Sequence, residues 1–188
     1  MKKLIMAVLL FSLSVLSACG APGHMMVKET GPDIRSVKPQ EGKSALVIAR
    51  TTSFGAAISF ETFLDQKMIG VSRGKCYFVQ TDIQPGTHYL IAKTESFETG
   101  KIDFEPDKVY YIQQTPRMGV WIARVTLSPV TPEHMASEMD TGCSYMEYDK
   151  TGETLSDEDF KEAVTDYERE ITEGFHKEFT EYKGFPAK

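Results

Sequence analysis

Positive charge is in short supply: the 188 residues hold 21 Lys and Arg against 27 Asp and Glu, a formal net charge of −6 at pH 7. No basic cluster occurs, so the electrostatic footprint behind most non-specific nucleic-acid affinity is missing. That argues against DNA or RNA as a partner, and against a surface for anionic lipid. Histidine is scarce as well, with only His24, His88, His134 and His176, and no two stand at ligand spacing. A zinc signature is therefore absent, and each ring reads as a surface or turn histidine. There is no Gly-x-Ser-x-Gly elbow, phosphate-binding loop or dinucleotide fingerprint, and Gly70 and Gly74, beside Arg73 and Lys75, mark only a turn. The acid pairs Asp157 with Glu158 and Glu168 with Glu170 read as solvating charge on a helix, because a glycosidase dyad needs carboxylates converging in a cleft. No catalytic residues, metal site or cofactor are expected.

Long apolar runs are missing too, apart from the first residues. Lys2 and Lys3 precede an apolar stretch from Leu4 to Leu16, broken by Ser12 and Ser14, and the small residues Ser17 and Ala18 follow. A spanning helix needs roughly 20 apolar residues, so this segment reads as a secretory signal rather than an anchor helix. Leu16, Ser17, Ala18 and Cys19 resemble the lipobox of bacterial lipoproteins, whose cysteine is diacylated on sulfur before cleavage makes it the first residue. The alternative is an ordinary signal with a chance cysteine. Two or three palmitate-like chains, at about 0.8 kcal/mol per buried methylene, would hold the product on a membrane. Gly20 is not the aspartate that retains Gram-negative lipoproteins at the inner membrane, so the sorting rule implies an outer-membrane, periplasm-facing location. A Gram-positive host would void that inference.

Loss of residues 1–18 removes two lysines and no acid, taking the net charge from −6 to −8. With Cys19 acylated, Cys76 and Cys143 remain in an oxidising compartment. A disulfide between them would contribute about 4 kcal/mol on the chain-entropy model. Two separate free thiols, one buried in a strand, are the alternative.

The chain divides by composition. Residues 19–42 are rich in Gly and Pro and read as a flexible tether. Residues 43–130 hold short runs of Val, Ile, Phe, Tyr and Thr, predicting strands at 45–51, 57–64, 68–71, 76–82, 88–95, 101–104, 109–114 and 120–127. Regular spacing of such runs predicts a mainly β, antiparallel β-sandwich of about seven or eight short strands. Trp121, Ala123, Val125 and Leu127 share one face of the last strand, which is expected to lie centrally. Residues 131–155 read as a short helix, started by Thr131, Pro132 and Glu133, and a loop carrying Cys143. Over 156–184, Ser156 with Asp159 forms a capping-box pattern, and Phe160, Val164, Tyr167, Ile171, Phe175, Phe179 and Tyr182 recur at three and four. That predicts one amphipathic C-terminal α-helix of about 27 residues, stopped by Gly184 and Pro186, that docks on the sandwich or engages an envelope protein.

Three segments carry a family resemblance: Phe63 to Gly70 (FLDQKMIG), Gln84 to His88 (QPGTH), and Asp107 to Ile112 (DKVYYI). Together they resemble bacterial lipoproteins of domain of unknown function 2846, and more loosely PEGA-like β-sandwich domains, over about residues 43–129. Gln66 stands where such families commonly carry glycine, so a tight Asp-Gly hairpin does not follow from the resemblance. What it implies is a fold. Pro85 and Gly86 set a turn, His88 opens a strand, and Tyr110 and Tyr111 place one aromatic on each side of a sheet.

The expectation is a non-catalytic, membrane-anchored cell-envelope lipoprotein, held by the lipid on Cys19 and acting as a binding or structural module of unknown ligand. A periplasmic hydrolase or isomerase is the alternative, needing a deep pocket lined by His88, Tyr110 or Tyr111 with perturbed acids. A third reading, linkage to peptidoglycan through the terminal Lys188, rests on one lysine behind a helix.

Overall fold

The computed structural model describes residues 26–119, 122–140, 142–148 and 152–187. Cys19, His24, Trp121 and Lys188, with the whole 1–18 segment, lie outside them. The described residues form two sheets, the larger ordered β1 (Met26–Glu29), β10 (Ser144–Tyr148), β5 (Cys76–Ile83), β2 (Ser44–Arg50), β8 (Lys108–Met118) and β11 (Phe185–Pro186). Strand β9 (Ala123–Pro129) also pairs with β8. The smaller sheet runs β4 (Lys67–Arg73), β3 (Ser59–Leu64), β6 (Gly86–Lys93) and β7 (Phe97–Phe104).

A purely antiparallel sandwich is therefore not what forms: β2 pairs β8 in parallel, and β10 pairs β5 in parallel. Parallel neighbours need a long crossover. The excursion through the smaller sheet supplies it for β2 and β8, and the stretch holding β6 to β9 supplies it for β5 and β10. The central strand is β2, and β9, expected there, pairs only β8. All seven residues of β2 are buried. Leu46 and Ile48 face the space between the sheets with Phe60, Phe78, Leu90, Ile102 and Tyr110, while Ala45, Val47 and Ala49 face the opposite way. A strand covered on both faces reads as a continuous apolar run, which ALVIA is.

Helices cover the outer faces. Helix α1 (Pro132–Met139) lies over the larger sheet, its Met135 and Ala136 packed with Ile34, Val37 and Tyr111. Thr131 Oγ1 caps it by accepting the His134 N–H at 3.1 Å. Helix α2 (Asp157–Thr172) lies over the smaller sheet, where Ala163 and Phe160 meet Phe63, Met68 and Ile91. Ser156 Oγ accepts the Asp159 N–H at 3.1 Å.

Two expected segments differ. From Met26 on, the presumed tether is docked: β1 pairs with β10, and Ile34 and Val37 are buried. Ile34 and Val37 follow no period, yet both pack on the outer layer of the larger sheet. The long C-terminal helix stops at Thr172, and Gly174 (φ +91) and His176 (φ 55) turn the chain before α3 (Lys177–Thr180). The turn sends Phe179 into the core between the sheets, where Gly100 leaves room for its ring. One straight helix could not serve both the outer face of the smaller sheet and that interior site. The stripe is thus split, with Phe175 left 59% exposed.

Candidate functional site

The two resemblance segments around Asp65 and His88 meet. Leu64 pairs with Lys67 across a two-residue turn in which Asp65 takes the left-handed conformation (φ 54), tolerable for Asp without the family glycine. Asp65 Oδ2 lies 2.7 Å from His88 Nδ1, and Oδ1 accepts the Tyr89 N–H at 3.0 Å. His88 Nε2 lies 3.0 Å from the Gln84 carbonyl oxygen. Both ring nitrogens face acceptors, so the imidazolium, donating from both, completes the set. The bond to Asp65 raises the His88 pKa against burial, which would lower it. Burial opposes ionisation of Asp65, yet the bonds from His88 and the Tyr89 amide hold its carboxyl below the ordinary value. A cleft of about 410 Å³ opens beside the pair, lined by Leu64, Gln66, Ile69, Asp82 and Gln84 among others. With both nitrogens engaged, His88 fastens two turns together.

Tyr110 and Tyr111 fall on opposite faces of β8, as expected, and both hydroxyls hold backbone. Tyr110 Oη donates to the Asp103 carbonyl at 3.0 Å and accepts the Glu105 N–H at 2.8 Å, closing the β7–β8 turn. Tyr111 Oη donates to the Ile34 carbonyl at 2.9 Å, fastening the N-terminal segment to the outer layer. Burial pushes its pKa up to about 12, with Glu133 and Asp33 adding to the shift. Val109, Tyr111, Pro132, Phe185 and their neighbours enclose a small, mostly apolar cleft of about 160 Å³. Tyr182, which sequence reasoning placed on a helix stripe, has another task. Strand β11 pairs only with Lys108 and Val109, and β9 reaches no further than Ile112. In that gap Tyr182 Oη accepts the Tyr111 N–H at 2.6 Å, where no strand does.

Cys76 and Cys143 are close in the pairing but free. Ser144 stands opposite Cys76, so Cys143 sits one residue off register. Side chains alternate along a strand, so Cys76 shares its face with Phe78 and Arg50, while Cys143 packs with Ala49 and Tyr77 on the other. The expected disulfide is absent because the two Cβ vectors leave the sheet in opposite directions. Burial, chiefly, raises the Cys143 pKa to about 11, and it raises that of Cys76.

A cluster that sequence reasoning missed lies where α2 meets β7 and β9. His176 Nε2 is 2.7 Å from Glu170 Oε2, and its ring rests 5.4 Å from that of Tyr167. Glu98, Glu170, Asp166, Tyr167 and Arg124 line a cleft of about 280 Å³. Burial raises the Glu98 pKa, Glu170 adds to it, and His176 opposes it. The signal was faint: Gly174 two residues before His176 marks the turn that brings the ring back onto Glu170. His134 is exposed on α1. Among the described residues no group of three or more His, Cys, Asp or Glu could hold a metal ion.

These features define a mainly β protein of two sheets, one mixed and one antiparallel, with helices on the outer faces. An uncharacterized protein of Haemophilus influenzae is 30% identical over 120 residues, which is 63% of this chain and 71% of that protein, and the chain belongs to the same family. No family model matches the chain. No solved structure matches it either.

Proposed function

We propose that this protein is a non-catalytic lipoprotein of the bacterial cell envelope, anchored through acylated Cys19 and serving as a binding or structural module on the periplasmic side of the outer membrane. The observation that carries the non-catalytic part is where His88, Tyr110 and Tyr111 spend their polar atoms: each bonds to a turn or to backbone of its own fold. A general base needs a free nitrogen within reach of substrate, and His88 has both engaged. The anchoring part is supported by the order of Lys2 and Lys3, the apolar stretch, and Leu16 to Cys19. The resemblance to domain of unknown function 2846 agrees with this reading, and the PEGA-like likeness favours a module that presents surfaces.

Cys19→Ser tests it. Radioactive palmitate should label the parent chain and not the variant, and the variant should leave the membrane fraction. Persistence of labelling and of membrane recovery in the variant would overturn the anchoring. Hydrolysis of an envelope substrate that is lost on His88→Gln, with the fold intact, would overturn the non-catalytic reading.

A further inference from the structure

We propose, resting on the reading of this protein as an envelope binding module, that the cleft beside Asp65 and His88 takes a neutral saccharide, a hexose unit of an envelope glycan. Its volume of about 410 Å³ falls within the span of small-molecule sites. The floor is aliphatic, made by Leu64, Ile69 and Ile83, the last two buried. The walls come from the β3–β4 turn, the end of β5, the β5–β6 turn and Thr154.

Those walls are fixed before any ligand arrives. His88 joins two of them, through Asp65 and the Gln84 carbonyl. Gln80 Nε2 donates to the Ile69 carbonyl at 3.1 Å, tying β5 of one sheet to β4 of the other. Gln66 Nε2 donates to Asp157 Oδ1 at 2.7 Å, and the Leu155 N–H donates to the Gln66 carbonyl at 2.7 Å, holding Thr154 in place. A pre-formed site loses little conformational entropy on binding.

The same bonds set the polarity of the cleft. A backbone carbonyl only accepts, so the Gln80 amide must turn its nitrogen to Ile69 and keeps Oε1 as a spare acceptor. Gln66 meets the Asp157 carboxylate with its nitrogen and likewise keeps its oxygen. Asp82 adds an exposed carboxylate whose side chain has no ion pair among the described residues, and Lys67 and the exposed Gln84 amide supply donors at the rim. A sugar hydroxyl both donates and accepts, so a polyol satisfies this mixed, acceptor-rich set while the aliphatic floor receives the C–H face of the ring.

Charge and backbone geometry exclude other ligands. The ionisable groups that line the cleft are Asp65, Asp82, Lys67 and His88. With His88 held as imidazolium by Asp65, two negative charges meet two positive ones, and no net field selects an ion. An extended peptide would need a free strand edge. The β4 edge at the cleft is occupied, since the Met68 N–H donates to the Glu153 carbonyl at 3.0 Å and Lys67 bridges to Thr154. On β5 the Thr81 carbonyl already accepts the Gln40 N–H at 2.8 Å.

The test uses the chain from Gly20 onward, which keeps every described residue, at about pH 6, below the ordinary histidine pKa of about 6.5, so that His88 with its raised pKa carries its proton. N,N′-diacetylchitobiose, maltose and hexylammonium chloride are each titrated while backbone amide resonances are followed. At least one disaccharide should bind with a dissociation constant of about 1 mM, moving the amides of Gln80, Asp82 and Gln84 and leaving that of Ile48 in place. Asp82→Ala with Gln84→Ala, both exposed positions, should weaken binding roughly tenfold with circular dichroism unchanged. Failure of both disaccharides to bind, shifts that map elsewhere, undiminished binding by the double variant, or tighter binding of hexylammonium overturns the proposal. None of these outcomes bears on acylation of Cys19, which palmitate labelling decides separately.

Discussion

His88 Nδ1 and Asp65 Oδ2 lie 2.7 Å apart across 23 residues of sequence, joining the turn after β3 to the start of β6. The pairing gives both residues a structural task, holding the two turns together. It also makes stability depend on pH at two edges. The raised pKa of His88 contributes stability that is complete below the ordinary histidine value of about 6.5 and is lost as pH rises through the folded value. The lowered pKa of Asp65 contributes stability that is complete above the ordinary value of about 3.9 and is lost as pH falls through its folded value.

Melting temperature should therefore plateau between about pH 4 and 6.5 for these two groups and decline beyond each edge. Asp65→Asn should remove both edges and cost about 1 kcal/mol, because the Asp65 side chain is 43% exposed and solvent screens the pair. Parallel melting curves for parent and variant across that range would show that the pair contributes nothing.

Tyr182→Phe leaves the Tyr111 N–H, now bonded at 2.6 Å, with no strand to take it. The expected loss is about 1–3 kcal/mol, the range for a buried unsatisfied group. Hydrogen exchange resolved by residue should show the Tyr111 amide losing protection while Ile48, deep in β2, keeps its own. Unchanged protection at Tyr111 would count against the role.

Gly100→Ala sets a methyl where the Phe179 ring now lies. Over-filling a packed interior costs about 1–3 kcal/mol, and the C-terminal turn should give way before the sheets do. Limited proteolysis should then cut near Gly174 faster than in the parent. Adding Phe179→Leu, which trims the ring, should restore part of the resistance.

Both thiols should be found free by mass spectrometry of the unreduced protein, because Cys76 and Cys143 project from opposite faces. With the Cys143 pKa at about 11, only on the order of 0.1% is thiolate at pH 8. Alkylation there should be slow and should accelerate in denaturant. A mass two hydrogens short, with a peptide linking the two cysteines, would show that the strand end twists enough to bond them.

Much of the local structure was legible. Thr131 and Ser156 cap the helices whose starts they mark, and Tyr110 and Tyr111 divide between the two faces of β8. Strand positions emerged from alternation, because a half-buried strand must repeat every two residues. The candidate site was legible only as fragments. Asp65 and His88 were both noticed, but nothing in either segment says that they touch. His176, Glu170 and Glu98 gave no pattern at all, since two turns of chain and a separate strand supply them.

The sequence alone determined where most strands of residues 43–130 and the starts of α1 and α2 fall, and which side of them faces apolar surroundings. Those properties depend on side chains within a turn or two of one another. Tertiary structure decided that β2 lies parallel to β8, that the apolar stripe breaks at Gly174 so that Phe179 reaches the interior, and that Cys143 misses Cys76 by one face. Pairing uses backbone groups that are alike at every residue, so register and partner emerge only when all the elements compete for the same core.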